Sequence, residues 1–234
     1  MRHRAHTAPM GSAGAEQVMI AVSKTVQVSG LIQRPPRARW CLVLAHGAGA
    51  GMRHAFLEAV AVGLVSEGIA CLRYQFPYME RGSKRPDTPQ VCHTTVRAAV
   101  AEAAKLTSAP LFAGGRSFGG RMTSQAQALE PLPGVKGLAF LGFPLHAAQK
   151  PSIERAEHLQ AVKLPMLFLQ GTQDELADLK LLKSVTRALG KRATLTLYEE
   201  ADHSFHAPKR SGRTDAQTLQ ELTHALAEWL KANA

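Results

Sequence analysis

A short apolar run at residues 111–113 leads directly into a glycine-rich turn around one serine. Residues 115–119 read Gly-Arg-Ser-Phe-Gly and fit the pattern G-x-S-x-G, with Ser117 at its centre. In this strand-to-helix turn, small residues two positions before and after the serine let a strained backbone form without clashes. The turn lifts the hydroxyl out of a sheet, to a helix N-terminus where the backbone N–H of Phe118 can face a developing oxyanion. Ser117 is therefore a candidate nucleophile. The alternative is a glycine-rich turn whose serine only caps a helix.

Strand-like and helix-like patterns alternate along the rest of the chain. Two β-prone runs at residues 16–22 and 25–32 predict a leading antiparallel ribbon. Apolar runs typical of buried strands then follow, with helical patterns between them, at residues 40–45, 69–74, 111–113, 135–143, 165–170 and 193–198. This alternation predicts an α/β fold with a mostly parallel central sheet that is covered by helices on both faces.

The connection between two of these strands is too short for a large insertion. Only residues 144–164 separate the predicted strands at 135–143 and 165–170, and they hold one short helical pattern. We therefore expect a minimal or absent lid. Ligands of such folds gather beyond the carboxyl ends of the strands, so the loops at that edge should carry the functional residues.

Length and composition are those of a single globular domain. The chain has 234 residues, of which 45% are hydrophobic, and no apolar run approaches the roughly 20 residues that a membrane span requires. We predict a flexible N-terminal arm at residues 1–15 and one domain at residues 16–234. The charged start of the chain is followed by polar residues instead of an apolar stretch, so we expect no secretory signal. Three cysteines without a C-x-x-C pair favour a reducing, cytoplasmic location.

The net charge of +10 permits contact with anionic partners, but the positive residues are dispersed over several segments. No motif combines basic and aromatic residues, so we expect neither nucleic-acid binding nor a membrane partner. No pair of His or Cys residues has ligand spacing supported by a second pair, so we expect no metal and no cofactor. The sequence does not indicate an oligomeric state.

A base and an acid for the serine follow it in the chain. A serine hydroxyl needs an imidazole to accept its proton, and the imidazole needs a carboxylate that fixes its tautomer. Asp174 and His203 each follow a different predicted strand, so both should lie at the same edge of the sheet as Ser117. The order Ser, Asp, His is the order of α/β-hydrolase triads. We predict a triad of Ser117, Asp174 and His203.

Each partner of the serine has a rival nearby. Asp178 competes with Asp174, but its position at a predicted helix start is typical of a cap. His206 competes with His203 and is interpreted as a solvated loop residue. Asp202 is expected to bond within its own loop. His46, in the glycine-rich loop after residues 40–45, is interpreted as structural.

Five segments together resemble the α/β-hydrolase superfamily: LAHGAG at 44–49, YQFPY at 74–78, GRSFGGR at 115–121, GTQD at 171–174 and ADHSF at 201–205. They are most similar to its small, nearly lidless, dienelactone-hydrolase-like members. In particular, they resemble the family that also contains the hydrolase-like subunit of an animal histone-acetyltransferase complex. The resemblance extends over nearly everything from residue 40 to residue 229.

The resemblance implies an α/β-hydrolase fold with Ser117 as nucleophile, His203 as base and Asp174 as acid. It also implies an oxyanion hole made by the backbone N–H groups of Phe118 and Ala48, with Gly49 as a second choice for the latter donor. Two departures concern the substrate. An arginine precedes the serine where a small residue is expected, and dienelactone hydrolases themselves use cysteine as nucleophile.

The substrate site should be open and partly basic. We expect Phe76 and Tyr78 to offer apolar faces, and Arg116 to lie beside the nucleophile, with further cations at Arg81, Lys84 and Arg85. These features predict a serine hydrolase that cleaves small-molecule carboxylic esters or thioesters through an acyl-enzyme, with short or carboxylate-bearing substrates preferred. The alternative function is a catalytically idle binding module in a protein complex.

Overall fold

A computed structural model describes residues 14–234. The predicted arm lies outside the described residues except for its last two positions. Within the described part of the chain, eight strands form one sheet, and six α-helices accompany them. The strands are β1 (Glu16–Ala21), β2 (Gln27–Gln33), β3 (Trp40–Ala45), β4 (Ile69–Tyr74), β5 (Leu111–Arg116), β6 (Val135–Leu141), β7 (Met166–Gly171) and β8 (Ala193–Tyr198). The helices are α1 (Ala55–Ser66), α2 (Pro77–Glu80), α3 (Pro89–Leu106), α4 (Phe118–Leu129), α5 (Leu179–Leu189) and α6 (Asp215–Ala232).

The sheet is mostly parallel, as the sequence predicts. Its order is β1-β2-β4-β3-β5-β6-β7-β8. β1 and β2 form an antiparallel ribbon, and β2 pairs antiparallel with β4. All pairings from β4 through β3 to β8 are parallel. The carboxyl ends of six strands therefore meet at one edge, where the loops after β3, β5, β7 and β8 lie.

Helices cover both faces of the sheet, because the central strands are apolar on both sides. In β3, Leu42 and Leu44 belong to the core shared with α1 and α6. Cys41, Val43 and Ala45 point to the opposite core, which α3, α4 and α5 complete. This two-sided burial explains why the strand reads as an unbroken apolar run. Trp229 of α6 packs against Phe112 of β5, with ring centroids 5.9 Å apart.

The short connection between β6 and β7 builds no cap over the sheet edge. Its regular structure is one 3₁₀ helix, Glu154–Ala161, which packs against α4. The expectation of a minimal lid is confirmed. No helix within residues 14–234 combines the length and the apolar character needed to cross a membrane.

One segment differs from the sequence-based expectation. No helical pattern is assigned to residues 75–89 from the sequence, but they contain α2, and the side chains of Phe76, just before this helix, and of Tyr78, within it, are fully buried. These two aromatic residues are two positions apart, a spacing that gives no helical periodicity, so the sequence pattern could not reveal the short helix.

Candidate active site

The turn between β5 and α4 holds Ser117 in a strained conformation. Its backbone dihedrals are φ 50° and ψ −117°, in a region that side-chain-bearing residues rarely adopt. A Cβ on Gly119 would lie 2.5 Å from the carbonyl oxygen of His46, and one on Gly115 would lie 2.7 Å from that of Ala45. Because neither contact is sterically possible, both glycines are required. The turn therefore presents the Ser117 hydroxyl above the carboxyl end of the sheet, as predicted.

Ser117, His203 and Asp174 form one hydrogen-bonded chain. Nε2 of His203 lies 2.8 Å from Oγ of Ser117, and Nδ1 lies 2.7 Å from Oδ2 of Asp174. The side chain of His203 is 21% exposed, whereas that of Asp174 is 0% exposed. The structure thus brings together the three side chains that the sequence singled out, with the serine end of the chain open to solvent.

Asp174 is oriented by more than the imidazole. The backbone N–H of Leu176 donates to its Oδ1 at 2.8 Å, and Nε2 of Gln170 donates to its Oδ2 at 2.5 Å. Gln170 is itself fixed, because its Oε1 accepts the backbone N–H of Phe143 at 2.9 Å. Sequence reasoning missed Gln170. The available signal was an uncharged polar residue near the end of an otherwise apolar strand, four positions before the acid.

The loop that carries His203 is held by its neighbour, as predicted. Oδ1 of Asp202 accepts the backbone N–H groups of Ser204 at 2.7 Å and of His206 at 3.0 Å. A Cβ on Gly142, at the end of β6, would lie 3.4 Å from Cε1 of His203. The glycine therefore lets the imidazole pack closely against the backbone beyond β6.

The rival acid and base lie elsewhere. Asp178 caps α5 by accepting the backbone N–H of Leu181 at 2.9 Å. His206 is exposed and pairs with Asp215 at 2.8 Å. The structural interpretation of His46 also agrees with its position. This residue is fully buried, its Nε2 accepts the backbone N–H of Phe76 at 3.0 Å, and burial lowers its pKa to about 4.

The glycine-rich loop after β3 runs beside Ser117. A Cβ placed on Gly47 would lie 4.0 Å from Cβ of Ser117. The hydroxyl of Tyr78 donates to the carbonyl oxygen of Ala48 at 2.8 Å. Further along the loop, Oε1 of Gln75 accepts the N–H of Met52 at 2.8 Å, and Arg73 donates to the Met52 carbonyl at 3.1 Å. The segment from Arg73 to Tyr78 thus holds the loop that carries Ala48 and Gly49.

The expectation that Phe76 and Tyr78 form walls of the substrate site is wrong. Both side chains have 0% exposure, and both rings pack against His46 and Phe118. They are buried because His46 and the Ala48 carbonyl each bond to this segment. They pack under the loop after β3 and the turn that holds Ser117, and Phe118 is the ring of this group that is partly exposed.

Arg116 lies beside Ser117, as predicted, but contacts other parts of the chain. Its guanidinium carbon lies 4.9 Å from the ring centroid of Phe56, and its Nη2 donates to Oγ of Ser204 at 3.1 Å. Burial lowers its pKa. Arg81 forms a 2.6 Å ion pair with Asp87. Arg116 thus helps to join the serine turn to the histidine loop.

One cluster within residues 14–234 has the ligand types of a metal site. Glu67, His224 and Glu228 lie where α1 ends beside α6. Both carboxylates already pair with Lys231, at 2.8 Å and 2.9 Å, so this cluster fits a surface ion-pair network better than a cation. None of its members contacts the triad.

The chain is similar to several known proteins. A family model described as an alpha/beta hydrolase domain matches residues 38–231. A dienelactone hydrolase from Anabaena variabilis is 19% identical, with a TM-score of 0.73, 95% of this chain covered and 99% of that one. A serine hydrolase homologue from Coxiella burnetii is 20% identical, with a TM-score of 0.71 and coverage of 92% and 97%. A serine hydrolase without a lid from Xanthomonas campestris is 19% identical, with a TM-score of 0.71 and coverage of 95% and 98%.

Proposed function

The chain belongs to the alpha/beta hydrolase family, and from this premise we propose that it is a serine hydrolase of carboxylic esters or thioesters that acts through an acyl-enzyme on Ser117. The observation that carries the proposal is the continuous hydrogen-bonded chain from Asp174 through His203 to Ser117. Each group in that chain has the type and the position that nucleophilic acyl transfer requires.

In the first half of the reaction, Oγ of Ser117 attacks the carbonyl carbon of the substrate while Nε2 of His203 takes the hydroxyl proton. Asp174 accepts a hydrogen bond from Nδ1–H, which fixes the reactive tautomer and stabilises the imidazolium that forms. The tetrahedral oxyanion is held by the backbone N–H groups of Phe118 and Ala48. His203 then protonates the leaving alcohol or thiol, and the acyl-enzyme remains.

In the second half, water replaces the leaving group. His203 takes a proton from the water as it attacks the acyl carbon, and the same two N–H groups hold the second oxyanion. Collapse of this intermediate returns the proton to Ser117 and releases the carboxylic acid. The short β6–β7 connection leaves the site accessible to water and to small substrates.

The proposal is tested by hydrolysis of p-nitrophenyl butyrate and of a butyryl thioester. We expect turnover by the unaltered protein and a loss of roughly 10³-fold or more in Ser117→Ala and in His203→Gln. The Asp178→Asn variant is the matched control, because Asp178 caps α5 and does not bond to His203. Equal rates in the unaltered protein and in Ser117→Ala would favour an idle binding module.

A further inference from the structure

A cationic side chain with no hydrogen-bond or carboxylate partner among residues 14–234 lies one turn beyond Ser117. Arg121 follows Ser117 on α4, and its backbone N–H donates to the Ser117 carbonyl at 3.1 Å. Its guanidinium carbon lies 5.9 Å from the ring centroid of Phe118. Nε of Arg121 is shielded from solvent and bonds to no atom of residues 14–234. Within the same residues, no carboxylate oxygen lies within 4 Å of this guanidinium.

A second arginine lies near Arg121, on the 3₁₀ helix of the β6–β7 connection that packs against α4. Arg155 is anchored there by a 2.8 Å hydrogen bond from its Nη1 to the carbonyl oxygen of His146. Burial lowers the pKa of Arg121, and the charge of Arg155 lowers it further. Two like charges thus lie together in a half-buried place, which costs free energy unless an anion compensates them.

The remaining neighbours do not supply that anion. His93 on α3 bonds to Oε1 of Gln125 at 3.2 Å, and His158 bonds to Oγ of Ser124 at 2.7 Å. The pKa of His158 is lowered to about 4 by burial and by the charge of Arg121, so this imidazole is neutral near pH 7. Uncharged polar groups therefore surround the arginine pair.

Other arginines near the site are satisfied by the protein itself. Arg97 donates to the carbonyl oxygens of Ala126 and Glu130, both at 2.6 Å, and so closes the end of α4. Arg116 bonds to Ser204 and covers the Phe56 ring. Arg121 differs from these, because its guanidinium donates no hydrogen bond to any atom of residues 14–234.

The position of Arg121 on α4 relates it to the reaction. Phe118, Arg121 and Gln125 are the partly exposed residues of one helical stripe, and this stripe starts at the proposed oxyanion donor. One helical turn rises about 5.4 Å, and the backbone bond from Arg121 to the Ser117 carbonyl places the two residues one turn apart. The planar guanidinium matches the two oxygens of a carboxylate.

We propose that Arg121, assisted by Arg155, forms a carboxylate subsite, so that the enzyme prefers esters or thioesters that carry a carboxylate a few bonds from the scissile carbonyl. This inference rests on the proposed serine hydrolase function. The sequence-based expectation placed the cations of the substrate site at Arg81, Lys84 and Arg85. The proposed subsite instead consists of one arginine on α4 and one on the β6–β7 connection that packs against α4.

The test compares kcat/KM for the p-nitrophenyl monoester of glutaric acid and for the neutral ester p-nitrophenyl pentanoate. We expect the protein to favour the charged ester by roughly 10- to 100-fold, and Arg121→Gln to lose that preference because its kcat/KM falls far more on the charged ester than on the neutral one. Arg121→Lys should keep part of the preference. About 0.5 M salt should weaken this preference in the unaltered protein.

A second pair of substrates carries the carboxylate in the alcohol instead of the acyl group. These substrates are the butyrate ester of hydroxybenzoic acid and the butyrate ester of its methyl ester. The pair that shows the larger preference for the charged substrate tells which side of the scissile bond lies near Arg121.

Arg37→Gln is the matched control, because Arg37 is exposed at the opposite edge of the sheet and its loss removes the same charge. Arg155→Gln should lower the preference by a smaller factor and serves as the test if Arg121→Gln does not fold. Equal rates on charged and neutral esters, or equal losses on both in Arg121→Gln, would overturn the subsite but not the hydrolase. If no ester were cleaved and Ser117 did not react with a fluorophosphonate, the proposed function would fail as well.

Discussion

Asp174 accepts hydrogen bonds from a backbone N–H, from Gln170 and from the imidazole of His203. Because its side chain is shielded from solvent, these bonds act where water does not compete with them. The carboxylate therefore has one orientation, and Nδ1 of His203 is the ring nitrogen that must carry the proton. Nε2 is left to accept the proton of Ser117.

Replacement of Asp174 by Asn should remove most of the activity while the fold is kept. The amide is nearly the same size, but its NH₂ group favours the wrong imidazole tautomer, so we expect turnover to fall by roughly 10³- to 10⁴-fold. Ester hydrolysis measures the loss, and circular dichroism checks the fold. The control Asp178→Asn removes a charge four residues away and should leave activity nearly unchanged. The reverse pattern would assign the acid to Asp178.

The triad residues could be predicted from the sequence because each follows an apolar strand and has a type that acyl transfer requires. Gln170 could not, since its importance comes from a contact with Asp174 that only the folded loop creates. Arg121 was missed for a similar reason. Nothing in a helical pattern tells whether an arginine will find a carboxylate, and that depends on how α4 packs against its neighbours.

Residues 73–78, at the end of β4 and just after it, hold the loop that carries the proposed oxyanion donor Ala48. Arg73 and Gln75 bond to the two polar groups of Met52, the backbone of Phe76 bonds to His46, and the hydroxyl of Tyr78 bonds to the Ala48 carbonyl. Since β3 and β4 are neighbouring parallel strands, this support follows from their register. The loop after β3 thus depends on the segment after β4.

Tyr78→Phe should therefore weaken catalysis without weakening substrate binding. Loss of one hydrogen bond of about 1 kcal/mol would free the Ala48 carbonyl, so we expect kcat to fall by roughly fivefold and KM to stay nearly constant. The control is Tyr198→Phe, because the Tyr198 hydroxyl is also buried but has no partner within residues 14–234. If both variants gave the same kcat, the tyrosine bond would have no part in positioning the loop.

The strand and helix assignments from the sequence agree with the structure wherever a long periodic pattern exists. They are poorest at α2, where four residues and a proline leave no period to detect. The order of the strands is a different matter. Nothing in the local pattern states that β4 lies between β2 and β3, because that order follows from which apolar faces the connections can bring together.

Two histidines, His46 and His158, are buried in the folded protein and resist protonation there. Burial lowers the pKa values of His46 and His158 to about 4, below the value near 6.5 expected in the unfolded chain. Between these values the unfolded chain binds more protons than the folded one. The stability that these two neutral imidazoles contribute is therefore fully present above pH 6.5. This contribution is lost as the pH falls toward about 4.

Urea unfolding at about pH 7 and about pH 5 measures this loss. We expect the free energy of unfolding to decrease by on the order of 4 kcal/mol over this interval, about 2 kcal/mol from each histidine. His158→Gln, which cannot bind the extra proton, should show a smaller decrease than the unaltered protein. The lowered pKa of Glu67 acts below pH 4.5 and does not contribute in this window. Equal stability at both pH values would contradict the account of the buried imidazoles.

The whole fold serves to bring three distant residues together at the carboxyl edge of one sheet, so the most direct test asks whether Ser117 is a nucleophile. The protein is incubated with a fluorophosphonate, digested and analysed by mass spectrometry. We predict one phosphonyl group on the peptide that contains Ser117, no labelling of Ser117→Ala, and strongly slowed labelling of His203→Gln. An unlabelled Ser117 in the folded protein, or equal labelling in Ser117→Ala, would contradict the proposed acyl-enzyme mechanism.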